Sequence, residues 1–264
     1  MLKIVYMAER LHNVQHKGVK FMDNVKEYVD LVNEPWGRMF YDLLFTQLDI
    51  PQLPKRKILD FGSGLCVTSN HYAEWHDVTA IEPNTEMISN SCKGNEYKQI
   101  HGGIEKIAKF NDNSFDLIFC HNVLEYVENK EPIVSELLRV LKHGGSLSVV
   151  KHNRKGKVFH SAVFWNDPQK AHVLLDSNAN DKSNYLGTQY IYSNECLSEL
   201  ASKHNGVVKE IFGIRAFYAM SQDNTIKYTN EWYQNMFALE KSVAYIDEYL
   251  NTAFYNHLII SKSK

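Results

Sequence analysis

The stretch Lys57-Ile58-Leu59-Asp60-Phe61-Gly62-Ser63-Gly64 decides the fold of this chain. Its first four residues predict a short strand, and its glycines predict a turn where no Cβ blocks the approach of a ligand to the backbone. A second apolar run, at residues 78–81, ends in Glu82, roughly 20 residues after the turn, which is the spacing at which a carboxylate reaches ribose hydroxyls. The two segments predict a nucleoside site at the carboxyl ends of parallel strands.

Strands and helices alternate regularly after the opening stretch. The apolar pattern predicts strands at 57–60, 78–81, 97–100, 115–120, 146–151, 207–218 and 254–261. It predicts helices at 66–75, 84–91, 131–142, 194–204 and 230–250. In the helix at 131–142, Pro132 suits the first turn and His143-Gly144-Gly145 ends the helix, since glycine takes the left-handed conformation without steric cost. We expect an α/β fold with a doubly wound, seven-stranded, mostly parallel sheet.

Two regions flank or interrupt this alternation. Residues 19–48 read as helix in two pieces that part near Asn33-Glu34-Pro35, and Pro51 and Pro54 mark a boundary after them. Residues 153–193 are polar and irregular apart from an aromatic-rich piece at 158–165. We expect an N-terminal helical cap over residues 1–54 and an insertion at about 154–193 that covers the active-site edge.

Composition narrows the class of protein. The chain has 264 residues, of which 44% are hydrophobic, and a net charge of −2, so it does not bind nucleic acid through its overall field. The chain has four cysteines: Cys66, Cys92, Cys120 and Cys196. No two of them form a CxxC pair, which favours reduced thiols in a cytoplasmic protein. The sequence begins without a signal peptide pattern and holds no apolar run long enough for a membrane span, and nothing in it has metal-ligand spacing.

Two nucleoside ligands compete for the glycine turn. A dinucleotide site requires GxGxxG, but Val67 holds the third glycine position and no glycine follows before Gly94. Asp60 is awkward beside a pyrophosphate and suits a cationic ligand. S-adenosylmethionine carries a sulfonium and an ammonium and no phosphate. A purely structural strand-turn-helix is the remaining alternative, and the ordered occurrence of Asp60, Glu82 and His121 favours S-adenosylmethionine over it.

At residues 57–151 the chain resembles the class I S-adenosylmethionine-dependent methyltransferases. The resemblance implies that residues 55–264 form the methyltransferase domain, and that the glycine turn packs the methionine moiety. It also implies Glu82 on the ribose hydroxyls. The chain departs from the family pattern at Cys66, where a third glycine is common. The cofactor contacts expected from turn and resemblance together are Asp60, Gly62, Ser63, Gly64, Glu82, Ile104, Glu105 and His121.

A narrower resemblance extends further along the chain. Residues 120–127 (CHNVLEYV), 151–153 (KHN) and 213–217 (GIRAF) are similar to the bacterial tRNA 5-carboxymethoxyuridine methyltransferase group, and residues 232–259 follow that group's helix-then-strand ending. In that group an arginine of the N-terminal helix contacts the cofactor carboxylate, and Arg38 is the matching position. The resemblance implies tRNA as the partner.

Two residues are candidates for work on the acceptor. His121 is a base for a hydroxyl or amine, or else a cofactor contact or a structural histidine; a carboxylate acceptor needs no base at neutral pH. Arg215 stands in an otherwise apolar predicted strand, where it holds a substrate carboxylate bidentately or simply ends the strand in solvent. The basic segment 151–157, followed by aromatic residues, suits phosphate contact and base stacking, or is a solvated loop.

Three functions remain open at this stage. The first is methylation of a carboxylate on a modified wobble uridine of tRNA. The second is methylation of a small metabolite, with the insertion as a lid. The third is binding of S-adenosylmethionine without catalysis.

Overall fold

The computed structural model describes residues 24–50, 52–176, 179–183 and 187–263. Its strands are β1 (Lys57–Phe61), β2 (Asp77–Glu82), β3 (Lys98–His101), β4 (Phe115–His121), β5 (Leu141–His152), β6 (Asp181–Ser183), β7 (Gly187–Gln189), β8 (Gly206–Ile214) and β9 (Tyr255–Lys262). Seven of them form one sheet in the order β3-β2-β1-β4-β5-β9-β8, and β6 and β7 form a separate hairpin. The strands from β1 to β5 run parallel, while β9 is antiparallel to both β5 and β8. The predicted α/β fold with a seven-stranded, mostly parallel sheet is confirmed.

The strand order reverses beside β1. This strand pairs with β2 on one side and with β4 on the other, so the two halves of the sheet wind away from each other at that point. Ligands of open α/β sheets bind in the crevice beyond the carboxyl ends of the strands at such a reversal. The fold therefore delivers Asp60 and Phe61 to the crevice.

Helices of the described residues alternate with the strands and pack against the sheet. They are α1 (Asn24–Asn33), α2 (Pro35–Leu48), α3 (Val67–Tyr72), α4 (Thr85–Ser89), α5 (Ile104–Ile107), α6 (Glu131–Val140), α7 (Arg154–Phe159), α8 (Pro168–Leu174), α9 (Asn194–Lys203), α10 (Asn230–Val243) and α11 (Asp247–Leu250). Asn84 caps α4, since its side chain accepts hydrogen bonds from the backbone N–H groups of Glu86 and Met87. None of the helices in the described ranges is long and apolar enough to span a bilayer.

The main core lies between α6 and the sheet. Val134, Leu137 and Leu138 of α6 are buried and pack with the apolar faces of β4 and β5. These positions recur at the spacing of one helix face, so a single amphipathic stripe faces the sheet. This packing fixes β4 and β5 side by side and so sets the position of their carboxyl ends.

Three predicted boundaries are wrong. Helix α6 ends at Val140, because Leu141 already has extended backbone and pairs with Phe115 of β4. Residues 142–145 then bulge out of the β4–β5 pairing, and Gly144 has φ 73°. Strand β8 ends at Ile214, because the next residue is left-handed at φ 64°. The predicted helix 230–250 is broken after Val243 into α10 and α11.

The insertion is more ordered than the sequence indicates. It holds α7, a π-helical turn (His160–Phe164), α8 and the β6–β7 hairpin. Asp167 caps α8 by accepting from the backbone N–H of Lys170, and Pro168 fits the first turn. The expectation of an irregular segment was wrong because these short elements depend on local caps rather than on a long apolar period.

The N-terminal helices pack on the far side of the sheet. Met39, Phe40, Leu43 and Leu44 of α2 are buried in a cluster with residues of β5, β8, β9, α10 and the 3-10 turn after β8: Val150, Ile214, Tyr255, Tyr233 and Tyr218. Residues 1–23 of the predicted cap, including the expected start of its first helix, lie outside the described residues. The division of the chain at residue 54 stays a prediction.

Candidate functional site

The glycine turn after β1 is closed by the backbone of β2. The N–H groups of Gly62 and Ser63 both donate to the carbonyl of Ile81, at 2.8 and 3.0 Å. Gly62 and Gly64 have φ of 72° and 53°, a region that L side chains rarely adopt. A Cβ on Gly62 would lie 2.4 Å from Val123, whereas one on Gly64 would meet nothing within 4 Å. The turn therefore needs Gly62 for packing, and at Gly64 it presents bare backbone to open space.

Cys66 replaces the third glycine without opening the turn. It takes φ 56° itself, and its N–H donates to the carbonyl of Ser63 at 2.8 Å. Its buried thiol lies 3.0 Å from the Gln99 side-chain oxygen and 3.3 Å from the Ser63 hydroxyl. These side-chain contacts offset the cost of a left-handed residue at this position.

Two carboxylates stand at the carboxyl ends of β1 and β2. Asp60 is buried and accepts a hydrogen bond from the Ser69 hydroxyl at 2.6 Å; burial raises the pKa of Asp60 to about 7 despite that bond. Glu82 accepts from the N–H groups of Gly64 and Asn84, both at 2.8 Å, and burial raises its pKa as well. In the described part of the chain no lysine or arginine pairs with either group. This edge therefore suits a cationic ligand.

The residues after β3 reach the same edge. The N–H of Gly102 donates to the Glu82 carbonyl at 3.0 Å. Ile104 is half-buried against the main core, and the exposed Glu105 carboxylate accepts from the N–H of Gly103 at 3.0 and 3.1 Å. Glu105 also lies 3.8 Å from Lys106. The predicted cofactor contacts Ile104 and Glu105 thus follow directly after a segment bonded to Glu82, with the Glu105 carboxylate bound to its own helix start.

His121, at the end of β4, begins a buried hydrogen-bond chain. Its Nε2 lies 2.7 Å from the Ser148 hydroxyl, which lies 2.8 Å from Nε2 of His257, whose Nδ1 lies 2.9 Å from the Gln47 side-chain oxygen. Burial, and then the neighbouring His257, hold the pKa of His121 well below its usual range. The ring is neutral and its Nε2 is engaged, which favours a structural or cofactor-contact role over that of a base.

Asn122 is a site residue that the sequence reasoning missed. It has φ 53°, its N–H donates to Val150 at 2.8 Å, and its side-chain oxygen is buried without a hydrogen-bond partner. A buried acceptor left open is expected to take a donor, such as an ammonium group. Together with the bare backbone at Gly64 and with Asp60 and Glu82, which have no lysine or arginine partner among the described residues, this residue fits S-adenosylmethionine. The signal in the sequence is an asparagine directly after a strand, since asparagine tolerates the left-handed region.

Arg38 does not join this group of residues. Its side chain is 58% exposed and lies 3.5 Å from Asp42, one helical turn away, and its guanidinium stacks 4.3 Å from the centre of the Tyr233 ring. The expected contact of Arg38 with the cofactor therefore finds no support in the geometry. Burial raises the pKa of Tyr28 in α1 and of Tyr41 in α2, with smaller contributions that include Glu82 and Asp60 respectively.

Arg215 lies at the same edge of the sheet, directly after β8. It is only 7% exposed, and its Nε and Nη1 atoms are buried without hydrogen-bond partners. Its Cζ lies 5.2 to 5.7 Å from the centres of four aromatic rings, those of Trp36, Tyr218, Phe254 and Tyr255. The alternative of a solvent-exposed strand end was wrong, because the left-handed backbone at Arg215 turns the chain back onto β9, where Phe254 N–H donates to its carbonyl at 3.2 Å. We name Arg215 and these rings the arginine cage.

Two charged groups border the arginine cage. Glu240 is buried and accepts from the N–H groups of residues 216, 217 and 218 at 2.7 to 2.8 Å, so its oxygens hold the turn that follows Arg215. Lys227 donates to the Ser221 carbonyl at 2.7 Å and lies 4.8 Å from the centre of the Tyr218 ring. Burial, and then the charge of Arg215, lower the pKa of Lys227 to about 8. Two cations therefore share one tyrosine ring.

Apart from the exposed Lys155, the cationic side chains of the basic segment 151–157 face inward. Lys151 is buried and donates to the Tyr192 carbonyl at 2.8 Å, and Lys157 lies 2.5 Å from both Asp181 and Gln189. Arg154 donates to the carbonyls of Leu174, Asp176, Ala179 and Ile191 in the insertion, at 2.8 to 3.4 Å. Neither a phosphate-contacting surface nor a solvated loop describes these three side chains, because Lys151 joins the sheet to the insertion while Arg154 and Lys157 join parts of the insertion to each other. Within the described ranges, no group of three or more His, Cys, Asp or Glu could hold a metal ion.

Comparisons with known proteins find methyltransferases among the similar sequences. Residues 59–149 match the model of a methyltransferase domain family. The tRNA 5-carboxymethoxyuridine methyltransferase of Escherichia coli (strain K12) is 31% identical over 120 residues, which cover 42% of this chain and 46% of that protein. The ubiquinone biosynthesis O-methyltransferase of Rickettsia typhi is 24% identical over 72% of this chain and 78% of its own length. The chain thus spans less than half of the tRNA enzyme.

Solved structures show the same fold at low sequence identity. A methyltransferase from Aquifex aeolicus superposes with a TM-score of 0.54 at 13% identity, covering 89% of this chain and 97% of its own. The 1,6-didemethyltoxoflavin-N1-methyltransferase of Burkholderia thailandensis, solved with S-adenosylhomocysteine, has a TM-score of 0.55 at 10% identity, covering 92% and 86%. Residues 59–149 therefore resemble a methyltransferase domain, and the described chain has the fold of solved methyltransferases.

Proposed function

We propose that this chain transfers a methyl group from S-adenosylmethionine to an anionic acceptor held in the arginine cage. The observation that carries the proposal is the buried, unpartnered guanidinium of Arg215. Ile214 pairs with Tyr255, which pairs with His152 at the end of β5, so Arg215 stands at the same sheet edge as Asp60 and Glu82. A buried cation with open donors is costly unless an anion binds it.

The chain's own residues orient the reactants. Asn122, Glu82 and the turn at Gly64 would hold the cofactor, which supplies a methyl group on a positively charged sulfur. The arginine cage would place the acceptor, because a guanidinium binds a carboxylate in a fixed fork and aromatic rings stack on its planar part. Alignment of the nucleophile behind the methyl carbon supplies most of the rate acceleration in such a reaction.

One candidate acceptor is the carboxylate of a modified wobble uridine in tRNA. The similarity to the Escherichia coli tRNA 5-carboxymethoxyuridine methyltransferase supports it. The rings of the arginine cage would stack on the base while Arg215 binds the carboxylate. Tritium transfer from labelled S-adenosylmethionine to tRNA bearing carboxymethoxyuridine tests this acceptor, and absence of label from the RNA rejects it.

A second candidate is a small metabolite that carries an acid group. The burial of Arg215 favours it, because a cage this enclosed admits a small ring more readily than an anticodon loop. The inward-facing basic side chains at 151–157 also leave little cationic surface for phosphates there. The Rickettsia O-methyltransferase, which is similar over a longer part of the chain, supports the same reading. Label in an acidic metabolite fraction and not in RNA would favour this candidate.

The variant Arg215→Lys distinguishes methyl transfer to either candidate acceptor from a function that is limited to cofactor binding. Lysine keeps the charge but loses the planar fork, so we expect methyl transfer to fall about 10- to 100-fold while S-adenosylhomocysteine binds with unchanged affinity. Arg56→Lys, at the opposite edge of the sheet, is the matched control. Cofactor binding without transfer to any pool, in the parent protein, would instead favour a non-catalytic binding module.

A further inference from the structure

His152 and Glu125 form a buried pair that the cofactor site does not use. His152 is the last residue of β5, and Glu125 lies in the 3-10 turn (Leu124–Tyr126) that follows β4. The imidazole Nδ1 lies 2.7 Å from Glu125 Oε1, and the backbone N–H of His152 donates to the same oxygen at 3.4 Å. Glu125 is 1% exposed and its second oxygen has no hydrogen-bond partner. The carboxylate therefore fixes both the position and the rotation of the ring.

The same imidazole borders the arginine cage. Its ring centre lies 4.6 Å from that of Tyr255 and 5.6 Å from that of Phe254, and these are two of the four rings around Arg215. Nδ1 points to Glu125, so Nε2 lies on the opposite side of the ring. Across the described residues this Nε2 makes no hydrogen bond, and it is absent from the polar atoms that are sealed from solvent. The pair thus presents one free nitrogen beside the acceptor region.

The charges around His152 keep the ring neutral near pH 7. Burial is the largest influence and lowers its pKa from the usual value of 6.5; Lys157 of α7 lowers it further, while Glu125 and Asp181 of β6 oppose this change. On the β9 side the ring faces Tyr255, which is itself held in the phenol form by burial. A neutral ring that donates Nδ1–H to Glu125 carries its lone pair on Nε2.

We propose that Nε2 of His152 accepts the proton of a hydroxyl group on an acid-bearing aromatic acceptor, and that Glu125 positions the imidazole for this. The hydroxyl oxygen forms a bond to the methyl carbon while the bond from that carbon to sulfur breaks and its electron pair stays on sulfur. The proton passes from the hydroxyl to Nε2 and then to solvent. This inference rests on the proposed function, since it assumes that the acid group of the acceptor binds Arg215.

His121 is excluded from this role by its contacts. Its Nε2 is engaged with Ser148 and its Nδ1 is buried, so neither nitrogen is open to an acceptor. A carboxylate nucleophile would make no use of a held, neutral imidazole, because it needs no base. The pair of His152 and Glu125 therefore favours a methyl ether over a methyl ester as the product.

The test compares 3-hydroxybenzoate with benzoate as methyl acceptors. We expect mass spectrometry to show a methyl ether formed from the hydroxy acid and no methylated product from benzoate.

The variants test the two residues separately. His152→Gln should lower kcat about 100-fold or more at unchanged S-adenosylhomocysteine affinity. Glu125→Gln should lower kcat less and leave KM for the acid unchanged. His143→Gln, at the other end of β5, is the matched control and should behave as the parent protein. In the parent protein, kcat should fall as pH drops below 6.5.

A second readout does not depend on turnover. With S-adenosylhomocysteine bound, nitrogen-15 NMR should show His152 as the neutral Nδ1–H tautomer at pH 7, with its Nε2 signal shifted by 3-hydroxybenzoate. A protonated His152 at pH 7, no shift with this acid, or methyl esters formed equally from both acids would each overturn the role of His152. Failure to bind S-adenosylhomocysteine would instead contradict the proposed function as a whole.

Discussion

At the residue scale, the two glycines of the turn after β1 carry different constraints. Both have positive φ, but a Cβ on Gly62 collides with Val123 while a Cβ on Gly64 enters open space. Gly62 is therefore required for the packing of the fold, and Gly64 is required for the close approach of a ligand to the turn.

This difference predicts two distinct outcomes for alanine. Gly62→Ala should lower the free energy of unfolding by about 2 kcal/mol or more, because it adds a clash to the strained backbone. Gly64→Ala should cost only about 1 kcal/mol but weaken S-adenosylmethionine binding at least as strongly. Urea unfolding and titration calorimetry measure the two effects. Equal losses of stability in both variants would contradict the assignment.

Asp60 predicts a pH dependence of stability. Its pKa is raised by burial from 3.8 to about 7, so the folded state binds its proton more tightly than the unfolded state. Its contribution to stability is complete below pH 3.8 and is lost as pH rises through about 7. Asp60→Asn keeps an acceptor for Ser69 and should flatten the decline in unfolding free energy between pH 5 and 8 by about 1 kcal/mol or more. Parallel pH profiles of the variant and the parent would refute this.

At the element scale, the regular strands and helices could be predicted, and the site only in part. Apolar runs and the turn glycines predicted β1, β2 and the sheet edge at their carboxyl ends, because these patterns depend only on residues close in sequence. The pairing of Glu125 with His152 joins residues 27 positions apart, and the left-handed Asn122 and Arg215 depend on neighbouring strands. Arg38 was assigned by resemblance alone, and its geometry follows Asp42 instead. Contacts between distant elements leave no period in a sequence.

The fold of the insertion depends on the buried Lys157. Lys157 lies 2.5 Å from the buried Asp181, so Lys157→Gln should remove the nearest cation from that carboxylate, whereas Lys170 at 3.3 Å is partly exposed. Loss of one partner of a buried pair costs about 3–5 kcal/mol. We expect faster proteolysis within residues 154–193, with Lys155→Gln as the exposed control. Unchanged cleavage would mean that the pair does not hold the insertion.

At the scale of the whole molecule, the proposed cofactor region and the arginine cage lie at one sheet edge but come from different parts of the chain. The proposed cofactor region, called the donor region below, uses residues 60–122, which are close in sequence. The arginine cage gathers Trp36 from the N-terminal helices, Arg215 and Tyr218 after β8, and Phe254 and Tyr255 at β9.

Ligand-induced stabilisation tests the donor region in the intact protein. S-adenosylhomocysteine at about 100 times its Kd should add roughly 2.7 kcal/mol to the unfolding free energy. For a chain of this size that raises Tm by roughly 5 °C or more. Differential scanning calorimetry with and without the ligand measures it, and NADH serves as the dinucleotide control. A larger shift with NADH would overturn the choice of donor.

The arginine cage comes from distant parts of the chain, and under the proposed function this has a consequence for re-engineering the acceptor. The donor region is encoded by one short contiguous stretch, so it can stay constant while residues near both termini of the chain are exchanged. A library that varies Trp36, Tyr218 and Phe254 together would search new acceptors without altering the methyl supply. Specificity in this molecule is thus a separable trait.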